Sequence, residues 1–379
     1  MDLNELLIWN NIQQDLQDAE EDLIIGREVL LKRDPFNTLS DRKFIQNFRL
    51  TKELCREVID LVTPFIEQPN RRSALPVKLK VLAALKFYGF GSYQEITGSN
   101  AYIGISQASV SRSIEDVTNA LNEPEIMNAW IHFPRNMEEL ESVRTRFYEK
   151  YHFPGVIGCI DCTHIAIIAP PVNHPIYPEH IYVNRKHYHS LNVQLICDCD
   201  LKIMNINAQF PGSTHDAHIW RTSRVSQVME GIYRRDPGNV FFLIGDSGYP
   251  TRPWLLTPIR NPETRGEERF NQSFCSIRSN IERCNGVLKN RFRCLLKHRT
   301  LHMSPTKAGK IANACSVLHN MCITNNIPLP GDNEVLADID YGIYAVDNVN
   351  EVVRGVNIDL EAARQLQQNI INNHFLQPQ

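Results

Sequence analysis

Three carboxylates stand where an apolar or basic neighbourhood makes them conspicuous. Asp161 interrupts the run VIGCIDCTHIAI (156–167), and Asp246 ends the stretch NVFFLIGDSGYP (239–250). Glu282 is the one acid among eight basic residues between Arg269 and Arg299. A carboxylate within buried apolar chain is costly to desolvate unless something positive lies beside it. Open α/β sheets place their chemistry at strand ends, so two strand-borne aspartates there suggest a site. If these acids converge, their repulsion calls for cations, and Mg²⁺ or Mn²⁺ with oxygen ligands are the natural partners. Asp216, in the polar stretch STHDAH, is a candidate fourth ligand and equally a candidate helix N-cap.

Each residue also has a structural reading. Asp161 could accept backbone amides, Asp246 could start the DSGYP turn, and Glu282 could pair with Arg278 or Lys289 on its own helix. All three together are harder to explain that way. His164, His215 and His218 neighbour the acids, but a hard carboxylate set does not need imidazole, so orienting or structural roles are expected for them.

The elements that must position these residues can be read from periodicity. NELLIWNNIQQDLQDAEEDLIIGREVLL in the acidic segment 1–40, and SDRKFIQNFRLTKELCREVIDLVTPFI (40–66), have helical spacing, with Ser40 or Asp41 and Thr51 as caps. VKLKVLAALKFYGFGSYQEITGSNAYIGISQASVSRSIEDV, with Ser106 as N-cap, outlines a helix-turn-helix-like region within 41–145. Its second helix would offer Gln107, Ser109 and Arg112 to a DNA groove, although a purely structural bundle has the same outline. From 150 to 325 the texture is α/β: strands at 156–167, 191–198 and 202–210, a helix entered near Thr214–Asp216, the strand before Asp246, and helices over 274–295 and from Pro305. An acidic tail with a short helix fills 326–379.

Of 379 residues, 42% are hydrophobic and 22% charged, the texture of a soluble globular protein of more than one unit. The first residues lack the basic start and apolar run of a secretory signal, and no stretch approaches the roughly 18 apolar residues of a membrane span. An intracellular chain with reduced thiols is expected. CIDC (159–162) and CDC (197–199) lie in strand-like runs without a second knuckle at zinc spacing. Net charge is only −3, yet a basic centre is flanked by acidic ends, which suggests a local polyanion site.

The strings GVIGCIDCTHIAIIAPP, YVNRKHYHSLNVQLICD, FPGSTHDAHIW, LIGDSGYP, SNIERCNGVLKNRFRCL and CSVLHN, in this order over residues 40–325, closely resemble the transposases of PIF/Harbinger elements and the nucleases derived from them. The resemblance implies an RNase H-like mixed sheet of the DDE superfamily. It makes Asp161, Asp246 and Glu282 the catalytic triad and Asp216 an additional metal ligand. It implies divalent-metal-dependent cleavage of DNA phosphodiester bonds, with a catalytically silent DNA-binding or scaffold protein as the alternative. Some of Arg278, Arg283, Lys289, Arg291 and Arg293, around Glu282, would contact the phosphate backbone, and Arg185 and Lys186 are offered to the same polyanion. It further implies a Myb- or SANT-like partner that supplies sequence-specific binding and nuclear import, and hence a protein of nucleus and cytoplasm.

Overall fold

The computed structural model describes residues 33–67, 74–91, 94–98, 100–329 and 357–376. The helical reading of residues 1–32 and the acidic stretch 330–356 fall outside the described residues.

The chain forms two compact units, with the main boundary between Glu123 and Pro124. Helices of the first are α1 (Pro35–Thr38), α2 (Asp41–Phe48), α3 (Lys52–Val62), α4 (Val77–Phe90), α5 (Gln94–Gly98) and α6 (Gln107–Leu121). The expected caps are present. Ser40, Thr51 and Ser106 accept the backbone amides of Lys43, Leu54 and Ser109, each satisfying a donor that the first turn leaves orphaned. Phe44, Phe48, Val58, Leu85, Val110 and Ile114 are fully buried and form the bundle core.

Further helices, α7 (Pro124–Trp130) and α8 (Met137–Tyr151), belong to the second unit, so the compact boundary falls earlier than 145–150. The reason is packing: α8 lies on the first strand of the sheet. That sheet has five strands in the order β3-β2-β1-β4-β5, where β1 is Val156–Ala166, β2 Ser190–Cys197, β3 Ile203–Pro211, β4 Phe242–Ile244 and β5 Leu255–Leu256. β1 pairs antiparallel with β2, and β2 antiparallel with β3; β1–β4 and β4–β5 are parallel. Every residue of β1 and β2 is buried, as expected for central strands covered on both faces. Two details depart from the reading of the sequence. β1 ends at Ala166, one residue short of the expected 167, and the apolar stretch before Asp246 contributes only three residues to the sheet.

Between β3 and β4 the expected helix is two: α9 (Asp216–Thr222) and α10 (Arg224–Arg235). Ser223 is extended, closes the first and caps the second through Ser226. The long helix α11 (Arg265–Arg291) starts well before the expected 274, because Thr264 and Glu267 together cap its first turn. Thr264 accepts the Glu267 amide, and the Glu267 carboxylate accepts the amides of Glu263 and Thr264. This is a reciprocal capping box, legible as T-x-x-E. Helix α12 (Pro305–Thr324) begins on the Ser304 cap. The last helix, α13 (Ile358–His374), docks on α11, and Gln367 donates to the Thr257 carbonyl at 2.8 Å.

Candidate active site

The β1–β4 register decides where the two strand aspartates stand. Cys159 is aligned with Ile244 in the parallel pair. Two residues beyond this last paired position come Asp161, still within β1, and Asp246, just past the end of β4, so both lie toward the same end of the two neighbouring strands. The two carboxylates accordingly feel one another. Burial pushes the Asp161 carboxyl well above the ordinary carboxylate range, and the charges of Asp246 and then Asp216 add to that. Asp246 is raised by burial and by Asp216, against the Gly248 amide, Arg278 and Arg185, which draw it down. Asp161 is 2% exposed, and its Oδ2 has no hydrogen-bond partner.

The chain after β4 fixes Asp246. Its Oδ1 accepts the Gly248 amide at 2.9 Å and its carbonyl accepts the Tyr249 amide at 3.2 Å, so the turn-forming reading of this residue is realised. Gly245 cannot carry a side chain here, because a Cβ would lie 2.9 Å from the Tyr249 ring. The Tyr249 hydroxyl in turn lies 3.3 Å from the Cys162 thiol on β1. Asp216 is the first residue of α9 and not its N-cap, a position held by His215. Its Oδ1 accepts from the Asn192 amide group on β2 at 2.8 Å, and the same group donates to the Thr214 carbonyl.

Glu282, on α11, is linked to this neighbourhood through Arg278. The helix packs against β1, where the Cys159 thiol donates to the Ile277 carbonyl at 3.2 Å. Arg278 and Glu282 are one turn apart and share a face. Arg278 donates to Glu282 at 2.5 Å, and its charge favours the ionised forms of both Asp161 and Asp246. The three aspartates are thus mutually close, while Glu282 is committed to Arg278. Among the described residues no three His, Cys, Asp or Glu side chains are gathered tightly enough to hold a metal ion. The unpartnered buried oxygen of Asp161, and three acids that repel one another, are nonetheless a donor set that a hard cation fits.

Asp216 and Asp246 open onto a cleft of about 1280 Å³, larger than is usual for a small-molecule pocket. Arg185, Arg221, Arg252, Arg260 and Arg364 contribute to its walls, together with Gln367 of α13. Sequence reasoning named only Arg185 of these. The others are scattered along the chain, and only the sheet and α13 bring them together.

The remaining candidates divide by exposure. Arg185, Lys186 and Arg283 are exposed, and Arg283 donates to Asn280 at 2.5 Å. Lys289, Arg291 and Arg293 are buried, at 2%, 1% and 9% exposure, and cannot meet a phosphate backbone as expected. Lys289 instead donates to the His164 carbonyl at 2.9 Å, which corrects its expected role. Of the helix-turn-helix residues, Gln107 and Arg112 are exposed. Ser109 is buried, and its hydroxyl receives Ser106 and Arg112, so it does not project into a groove. His164 is buried against Ser190, whereas His215 and His218 are exposed. All ten cysteines are free thiols. No described helix is long and apolar enough to cross a membrane.

Residues 160–320 match the family described as DDE superfamily endonuclease. The chain is 34% identical over 356 residues to "Putative nuclease HARBI1" of Rattus norvegicus, covering 93% of this chain and 96% of that protein. The Homo sapiens protein of that name is 33% identical over 361 residues, with the same coverage. "Protein ALP1-like" of Arabidopsis thaliana is 24% identical over 300 residues, or 74% of this chain and 71% of that one. No solved structure matches the chain.

Proposed function

Because the chain belongs to the family of Harbinger transposase-derived nucleases with a DDE endonuclease domain, we propose that it is a divalent-metal-dependent nuclease that cleaves DNA phosphodiester bonds. Its catalytic carboxylates are Asp161, Asp246 and Glu282, and Asp216 is a further metal ligand. The observation that supports this reading is the parallel β1–β4 pairing, which ends two residues before Asp161 and Asp246, together with a buried Asp161 oxygen left unpartnered and under the charge of Asp246. The strand order, with β2 antiparallel to both β1 and β3 and with β4 and β5 running parallel to β1, supports an RNase H-like fold. Gln107 and Arg112 on α6 are the exposed residues of the helix-turn-helix-like region that remain candidates for a groove.

Bound Mg²⁺ or Mn²⁺ supplies positive charge and Lewis acidity at the scissile phosphate and its nucleophile. Asp161 on β1 and Asp246 just past the end of β4 would hold such a cation. Asn192 fixes the rotamer of Asp216 so that its second oxygen can turn toward the same site. Glu282, paired with Arg278 here, would complete the ligand set of a bound cation, and Arg278 would then be available to a phosphate oxygen. Arg185, at the rim of the cleft beside Asp246, holds the substrate strand. Choice of DNA sequence and nuclear entry are assigned to a Myb- or SANT-like partner, with which the protein distributes between nucleus and cytoplasm. Unaided nuclear accumulation of the isolated chain would remove the need for such a partner.

The test of cleavage is nicking of a supercoiled plasmid with Mn²⁺ or Mg²⁺ by wild type, Asp246→Asn and Glu282→Gln. Metal-dependent nicking abolished by both substitutions is expected. Nicking that survives both would place the chemistry elsewhere.

A further inference from the structure

Between Glu282 and Asp332 the sequence contains no aspartate or glutamate. Part of that acid-free stretch, the helical turn Lys297–Arg299, lies against the turn between residues 183 and 189. Lys297 Nζ sits 4.8 Å from the centre of the Tyr188 ring. Ile167 bridges to Leu301 at the end of β1, which fixes the two segments on one edge of the second unit. Lys297, His298 and Arg299 are all exposed, and so are Arg185, Lys186 and His187.

The turn that presents Arg185, Lys186 and His187 is held from inside. Asn184 is 3% exposed, its Oδ1 accepts the Lys186 amide at 2.8 Å, and its amide group donates to Ser190 at 2.9 Å. The backbone closes through Asn184 N to the Tyr188 carbonyl at 3.0 Å and His187 N to the Asn184 carbonyl at 2.9 Å. His187 adopts the left-handed conformation, φ 59°, that such a turn demands. Ser190 then meets His164 of β1, which receives Lys289 on its carbonyl. Three basic side chains are therefore carried on a buried polar anchor, with little ordering left to do on binding. Glu179, the nearby acid on this side of the fold, is taken up by His189.

Arg185 belongs to both places. It lines the cleft with Asp216 and Asp246, and its charge is felt at Asp246. We propose that the 184–188 turn and Lys297–Arg299 form one basic platform that holds the phosphodiester backbone of a DNA strand where it leaves the carboxylate cleft, with Arg185 as the junction. This rests on the nuclease reading and adds the path of the substrate. The platform contacts phosphates, so it sets affinity and its salt dependence rather than sequence choice. The Tyr188 ring under Lys297 orients the ammonium while leaving its N–H groups toward solvent.

The test measures binding of the full-length chain to a short fluorescent duplex by anisotropy, in EDTA and over a series of salt concentrations. The variant carries Lys186→Ala, Lys297→Ala and Arg299→Ala. A charge control carries Arg235→Ala and Arg265→Ala, and a second variant keeps charge through Lys186→Arg and Lys297→Arg. Thermal melts establish that each is folded. Each lost phosphate contact lowers the slope of log affinity against log salt by about 0.9 for duplex DNA, so the triple variant should lose roughly two to three and bind at least about tenfold more weakly. The charge-keeping variant should bind like wild type. Unchanged affinity and slope in the triple variant, an equal loss in the charge control, or no DNA binding by wild type would each overturn the platform. Cleavage is scored separately: nicking without any platform effect removes the platform alone, and platform-dependent binding without nicking removes the nuclease reading alone.

Discussion

Arg278 and Glu282 form an ion pair at 2.5 Å, one turn apart on α11, and the same guanidinium lies within electrostatic reach of Asp161 and Asp246. Arg278 thus partly occupies the electrostatic role that a cation has in the proposed site. Both partners are less than one-fifth exposed, so the pair is shielded from water more than a surface helix pair is. Removing the guanidinium should have two opposed effects. Arg278→Gln should bind Mn²⁺ more tightly in calorimetry, since Glu282 no longer has to be released. It should also melt at lower temperature without metal, since three acids lose their neighbouring positive charge. Weaker Mn²⁺ binding would show instead that Arg278 organises the ligands.

The shifts of Asp161 and Asp246 fix the sign of a pH effect. Both carboxyls are raised above their ordinary value in the folded state, so the folded chain binds more protons than the unfolded one above about pH 4. The contribution of these two groups to metal-free stability should therefore be fully present below the unfolded value and be lost as pH rises through the folded values. Asp161→Asn should flatten this dependence and raise the metal-free melting temperature at neutral pH by about 2–4 °C, the shift expected for about 1 kcal/mol in a domain of this size. Melting curves over a pH series, with and without EDTA, measure both.

Lys289 provides a contrast with the exposed basic residues. Its ammonium is buried on the His164 carbonyl, so Lys289→Met should cost about 1–3 kcal/mol by removing that donor from a buried carbonyl. The salt slope of DNA binding should not change. A lower slope with unchanged stability would return Lys289 to the DNA-contacting set.

The docking of α13 predicts a role for the chain beyond the acid-rich stretch. Gln367 is buried and satisfies the Thr257 carbonyl at the cleft wall. Gln367→Ala should destabilise the protein by about 1–2 kcal/mol in a denaturant titration, the usual cost of a buried hydrogen bond. No loss would mean that α13 is not seated on the second unit in solution.

The sites that were legible in the sequence share one property: a residue at odds with its neighbours. Asp161 in an isoleucine-rich strand and Asp246 at the end of another announce themselves in this way, and the caps Ser40, Thr51 and Ser106 follow from local hydrogen bonding alone. The partner of Asp161 was not legible, because it depends on the Cys159–Ile244 register between strands far apart in the chain. Lys289 and Arg291 were misplaced for a different reason. Helix α11 touches β1 on one side and α12 on another, so its buried face is wider than the Ile277, Ile281, Cys284, Leu288 stripe. A basic residue on that second side reads as solvent-facing when only one apolar stripe is counted. The platform was half visible, as Lys297 and Arg299 in a basic run, but its meeting with the 184–188 turn depends on tertiary packing.

The central claim is that Asp161 and Asp246, aligned by strand register, hold a divalent cation. The direct measurement is calorimetric titration of the metal-stripped chain with Mn²⁺, comparing wild type with Asp161→Asn and Asp246→Asn. Wild type should bind, and each substitution should weaken binding by about 10- to 100-fold or more. Mn²⁺ binding of equal strength in all three proteins would contradict the claim.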